Sequence, residues 1–100
     1  MLTREKIVKI LKAEFLYLKT NFGVKKIALF GSFARQLQVK TSDIDLFLEF
    51  EKPIGLKIID LTEYLEKILG RKIDLLTPAG IRGIRLKKIA RSIKRSLLYV

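Results

Sequence analysis

Apolar residues recur at Ile7, Leu11, Phe15, Leu18 and Phe22, at spacings of four, four, three and four. That rhythm keeps them on one face and predicts a helix over residues 3–22. Thr3 stands where a cap belongs, Glu5 falls in the first turn, and Gly23 sits just past the end. The period then shortens. Lys25 to Phe30 reads as a strand with a buried run, Ile27-Ala28-Leu29-Phe30, ended by Gly31. Ser32 occupies an N-cap position before a short helix predicted through about Leu37, and Gln38 to Ser42 reads as a polar loop.

Asp43 to Glu51 alternates. Ile44, Leu46, Leu48 and Phe50 fall on one side, and Asp43, Asp45, Phe47, Glu49 and Glu51 on the other, which predicts a second strand. Pro53 and Gly55 break it. Ile58, Leu61, Leu65 and Ile68 give a helical face over residues 56–69, with Glu63 and Lys67 as an i,i+4 pair and Gly70 just beyond. Arg71 to Thr77 predicts a third strand stopped by Pro78. Leu86, Ile89, Ile93 and Leu97 predict a last helix from about Ile84 to Arg95, its start blurred by Gly80 and Gly83. Leu97 to Val100 reads as a short extended piece. The order is α-β-α-β-α-β-α, without linker or repeat, and residues 1–100 are expected to form a single domain.

Composition narrows the chemistry. Cysteine and histidine are both absent from the 100 residues. This excludes disulfides, thiolate sites and histidine-based catalysts, and leaves oxygen ligands for any metal. No apolar run approaches the roughly 20 residues of a membrane span. The first residues read as an amphipathic helix rather than a signal peptide, so the expected location is cytoplasmic. The net charge of +11 is uneven: residues 71–100 carry nine Lys/Arg against one acid, and residues 1–70 carry twelve against nine. A basic tail on a near-balanced body fits a polyanionic or acidic partner.

The candidate chemistry gathers at the strand ends. Gly31-Ser32 joins a strand to a helix start, where glycine admits close approach and free N–H groups suit a phosphate; an ordinary capped turn has the same pattern. Ten residues, Phe33 to Ser42, separate Ser32 from Asp43. Asp43 and Asp45 share one strand face, which taken alone suits the solvated side of an edge strand before it suits a divalent cation. Asp74 interrupts an apolar strand in the basic third of the chain. It would be a third ligand if strands two and three are neighbours, or a surface acid paired to a base if they are not.

Together, Gly-Ser-Phe-Ala-Arg at 31–35, Ser-Asp-Ile-Asp-Leu at 42–46 and Asp74 resemble the polymerase β-type nucleotidyltransferase superfamily. More narrowly they resemble the minimal nucleotidyltransferases, many of which are antitoxin partners of HEPN-domain toxins. The resemblance implies an α/β (α+β) nucleotidyltransferase fold, with a small mixed sheet of three or four strands flanked by helices. It implies that Asp43, Asp45 and Asp74 are catalytic and bind two Mg²⁺ ions, and that Gly31, Ser32 and Arg35 bind the nucleotide. The implied reaction transfers AMP from ATP to an acceptor hydroxyl, expected to be a tyrosine of the partner toxin. The alternatives are a non-catalytic antitoxin acting by contact, or a transferase acting on a small molecule or an RNA end. The basic face of the last helix, with Arg85, Lys88, Arg91 and Arg95, reads as a solvated face, a toxin dock or, less favoured, a nucleic-acid contact. Homo- or hetero-oligomers both fit. One departure stands inside the first motif: where the family usually has glycine after the arginine, this chain has Gln36.

Overall fold

Thr3 caps the first helix as its position predicts: its Oγ1 accepts a hydrogen bond from the Lys6 N–H at 3.2 Å. In the computed structural model, which describes residues 2–82 and 87–100 (backbone alone at 81–82 and 87–90), helix α1 spans Arg4–Phe22. Ile7, Leu11 and Leu18 of its apolar face are fully buried. Gly23 closes it in the left-handed region, φ 69°, with its N–H reaching back to the carbonyls of Leu18 and Lys19.

Strand β1 (Val24–Phe30) runs into a four-residue helix, α2 (Gly31–Ala34), and the chain then loops to β2 (Ile44–Phe50). Helix α3 (Lys57–Leu69) leads to β3 (Ile73–Leu76), α4 (Pro78–Arg82), α5 (Lys87–Arg95) and the two-residue β4 (Leu98–Tyr99). The sheet order is β3-β2-β1-β4. β2 pairs antiparallel with β1 and parallel with β3, while β4 pairs antiparallel with β1, so the expected small mixed sheet has four strands. β2 is therefore central, and the reading of its acidic side as an edge-strand face does not hold.

The two sheet faces are covered differently. Ile27, Leu29, Ile44, Leu46 and Leu48 turn toward α1 and α3 and join Leu61 and Leu65 in the main core. Ala28 and Phe47 turn the other way, where Phe30, Leu76, Ile93 and Leu97 pack on them. The last segment, α5 and the residues just after it, is thus laid across the opposite face of the sheet, the one that carries the acids of β2.

Four local expectations shift. α2 starts at Gly31, with Phe30 at the cap position and no side-chain cap bond, so Ser32 lies inside the first turn rather than capping it. α2 also ends at Ala34 instead of near Leu37. β2 begins at Ile44, which leaves Asp43 on the loop side of the boundary. Pro78 opens a short helix as well as ending β3, as proline at a first helical position does. The expected start of the last helix at Ile84 lies outside the described residues.

Candidate active site

The site is assembled by strand register. Asp45 lies opposite Asp74 in the parallel β2–β3 ladder, so both side chains project from the same face. Asp45 also lies opposite Phe30 in the antiparallel β1–β2 ladder, which brings the next residue, Gly31, to the carboxylate. Neighbouring strands lie about 4.8 Å apart. Asp43 precedes Asp45 by two residues and is half-buried, as Asp45 is, while Asp74 is exposed.

Gly31 is the tightest fixture. It has φ 73°, in the left-handed region. A β-carbon there would lie 2.9 Å from the Asp45 Cγ and 3.2 Å from its Cβ, with Oδ2 closer still. Only a residue without a side chain leaves the Asp45 carboxylate its position. The Gly31 requirement and the Asp45 requirement are thus one constraint.

Burial pushes the Asp45 carboxyl above its ordinary value, and the nearby Asp74 and Asp43 carboxylates push it further the same way. Among the described residues none of the three acids has an ion-pair partner. Two carboxylates about 5 Å apart repel by about 1 kcal/mol in bulk water and about 3 kcal/mol at an effective dielectric near 20. The exposure of Asp74 favours the lower figure. An all-oxygen donor set with uncompensated mutual repulsion is the chemistry that a hard divalent cation relieves, so these residues fit Mg²⁺. As they stand, no group of three or more acids among the described residues is drawn into a geometry that would hold a metal ion.

The loop before Asp43 is held by residues that sequence reasoning passed over. Arg71, just ahead of β3, donates from Nη1 to the carbonyl oxygens of Lys40 and Ser42, the latter at 3.0 Å, and its guanidinium lies 5.6 Å from the centre of the Phe33 ring. Ser42 closes a tight turn: its N–H donates to the Val39 carbonyl at 3.0 Å and its Oγ accepts from the Val39 N–H at 2.9 Å. The α2 end is clamped from α1, where Arg4 Nη1 donates to the Ala34 carbonyl at 3.1 Å and Glu5 Oε1 accepts from Gln36 Nε2 at 3.1 Å. Gln36 has φ 59°, the conformation that the missing glycine would take. An arginine at the first position of a predicted strand carried no sequence signal for the Arg71 role.

Ser32 is half-buried in α2, and Arg35 is its exposed C-terminal cap. A helix of four residues has little macrodipole, so the backbone N–H groups of Gly31 and Ser32 are what this turn offers an anion. Arg35 instead faces a cavity of about 650 Å³ that it lines together with Arg91, Ser92, Arg95 and Ser96. The sequence placed Arg91 and Arg95 on a basic helix face without pairing them with Arg35.

A model of the nucleotidyltransferase domain matches residues 4–100. The protein adenylyltransferase MntA of Thermococcus cleftensis is 40% identical over 101 residues, covering 100% of this chain and 98% of its own. A solved structure described as a candidate minimal nucleotidyltransferase superposes with a TM-score of 0.74 at 26% identity, covering 97% of this chain and 95% of its own. A toxin–antitoxin crystal structure with AMP-PNP superposes with a TM-score of 0.55 at 25% identity, over 83% of this chain and 60% of the other. With a domain model that matches nearly its whole length and a fold that superposes on a solved minimal nucleotidyltransferase, the chain belongs to the nucleotidyltransferase domain family.

Proposed function

We propose that this nucleotidyltransferase is a Mg²⁺-dependent protein adenylyltransferase that moves AMP from ATP onto a hydroxyl of a partner toxin, a HEPN-type ribonuclease modified at tyrosine. The observation that carries the reading is the Asp45–Asp74 register with Gly31 fitted against Asp45. Folding alone gains nothing from three adjacent acids of raised mutual repulsion. The MntA relative, named a protein adenylyltransferase, and the neighbour solved as a toxin–antitoxin complex with AMP-PNP support the substrate and the partner. Cytoplasmic residence belongs with this reading, and no helix among the described residues is long and apolar enough to cross a membrane.

In this reaction the acceptor oxygen attacks the α-phosphorus of ATP. The bond from that phosphorus to its α–β bridging oxygen breaks, and pyrophosphate leaves with the electron pair. Asp43, Asp45 and Asp74 would hold the Mg²⁺, which when bound supplies charge stabilisation to the entering and leaving oxygens. Asp74, the most exposed of the three, would help activate the acceptor hydroxyl by taking up its proton. Gly31 and Ser32 present backbone N–H groups to the phosphates, and Arg35 adds its guanidinium. Arg71 keeps the 38–42 loop, and so Asp43, in place.

The test incubates the protein with Mg²⁺, α-labelled ATP and the product of the neighbouring gene. Label on that protein, lost in Asp43→Ala and Asp45→Ala, is the expected result. Toxin inhibition that survives both substitutions, with no label transferred, would overturn the enzymatic reading and leave neutralisation by contact.

A further inference from the structure

The cavity between the end of α2 and α5 has no part in the carboxylate site, yet its chemistry is complementary to it. Arg91 and Arg95 are one helical turn apart on α5, so they project side by side, and Arg35 joins them from α2. Three arginines from two separate elements therefore border one concavity. None of the three has a carboxylate partner among the described residues. Unpaired like charges brought together in a hollow repel, as the three acids do, and an anion relieves this.

The packing of α5 bears on which anion. Ile93 and Leu97 pack on Phe47 and Ala28, the residues beside Asp45 and Phe30 on the same sheet face. α5 is thus anchored to the face from which Asp45 and Asp74 project. A ligand that reaches from a cation on the acids to the arginines carries negative charge along its length. The volume, about 650 Å³, is that of a small-ligand pocket. A flat basic stripe, suited to a nucleic-acid backbone, would distribute these arginines along a surface rather than around a hollow.

We infer that Arg91 and Arg95 of α5 complete, with Arg35, a polyphosphate-binding cavity that takes the β,γ-phosphate end of the nucleotide and the pyrophosphate it becomes. This rests on the adenylyl-transfer reading for the identity of the nucleotide, but the anion site is testable alone. α5 then acts in positioning the leaving group rather than only as a basic surface for a partner.

Inorganic pyrophosphate is titrated calorimetrically into the isolated protein with EDTA at low salt. Arg91→Ala and Arg95→Ala are each expected to weaken binding about tenfold, the scale of one charge-assisted phosphate contact at a half-open site. Lys19→Ala/Lys67→Ala removes two charges from α1 and α3 on the other sheet face and should change it less than twofold. In ATP and AMP titrations the arginine substitutions should weaken ATP and spare AMP. Should either variant misfold, phenylglyoxal modification of the wild-type protein decides: pyrophosphate protects Arg91 and Arg95. Pyrophosphate that fails to bind, binding unchanged in both arginine variants, or absent protection overturns the inference; a basic dock for RNA or an acidic protein would behave this way. If pyrophosphate binds through α5 but no adenylyl transfer occurs, the cavity stands and the transfer reading falls. If transfer occurs while the arginine substitutions leave pyrophosphate affinity unchanged, the transfer reading stands and the cavity falls.

Discussion

Replacing Gly31 by alanine tests whether Gly31 and Asp45 are a single constraint. The backbone cost is that of an L-residue at φ 73°, about 1–2 kcal/mol. Restriction of the unfolded chain returns about 0.4–1 kcal/mol of it. The added methyl also meets Asp45, at 2.9 Å from Cγ and 3.2 Å from Cβ. Ordinary contact begins near 3.5 Å, so the carboxylate must swing out of its rotamer or β2 must shift, costing about 1–3 kcal/mol. The single substitution should therefore lose about 1–4.5 kcal/mol of stability. In an Asp45→Ala background the carboxylate is gone, and only the backbone cost and a tight Cβ contact remain.

The assay is a double-mutant cycle by urea unfolding of the four proteins in EDTA, with stability read from the midpoint at constant slope. A coupling of at least about 1 kcal/mol is expected, since independent sites add to within about 0.5 kcal/mol. Adenylyl transfer by Gly31→Ala should fall about 100-fold, the scale of an ångström's displacement of a reacting group. Additive unfolding energies would show that Asp45 does not lie against Gly31, and the site built on that register would fail with it.

Asp45→Asn should stabilise the metal-free protein near neutral pH by about 1 kcal/mol, the lower end of the Coulomb range because the cluster is partly solvated. The sign follows from the raised carboxyl: between its unfolded and folded values the native state holds the extra proton, so wild-type stability falls as pH rises through that window. The advantage of the amide should therefore disappear on acidification, and pH-dependent urea midpoints in EDTA measure it. Mg²⁺ should raise the wild-type thermal midpoint and leave Asp45→Asn much less affected. Arg71→Ala removes donors to two loop carbonyls and should cost about 1–2 kcal/mol in urea unfolding, with Arg71→Lys a poor rescue because an ammonium lacks the planar fork. Gln36→Gly should be neutral or stabilising by up to about 1 kcal/mol in thermal melts, because it relieves a left-handed conformation.

The elements were legible because each stretch states its own period. The α1 stripe and the β2 alternation need no partner to be recognised, and the Thr3 cap and the Gly23 stop are local chemistry. The three acids were legible as residues, but not as neighbours. That Asp45 faces Asp74 depends on β2 and β3 pairing in parallel across the α3 crossover, and that β2 is central depends on β1 pairing on its other side. No local pattern encodes either. The same holds for Arg71 and for the meeting of Arg35 with Arg91 and Arg95, which join residues far apart in the chain. α4 is a different kind of miss. Pro78 carries two signals, a strand stop and a helix start, and the residues around it do not separate them.

Gln36 shows why one glycine of the motif can be lost and the other cannot. Both positions lie in the left-handed region, Gly31 at φ 73° and Gln36 at φ 59°, so backbone strain alone does not separate them. Their surroundings do. At Gly31 the direction a side chain would take is filled by Asp45. At Gln36 the side chain runs along the exposed surface, where its amide meets Glu5. The turn at 36 is also held by bonds that any residue could make, the Gln36 N–H to the Phe33 carbonyl and the Leu37 N–H to the Ser32 carbonyl. A left-handed glutamine costs on the order of 1 kcal/mol, which a domain stable by roughly 5–15 kcal/mol tolerates. A side chain at 31 would instead displace the carboxylate on which the chemistry depends. The motif is therefore strict where the backbone touches the acid and permissive where it only turns.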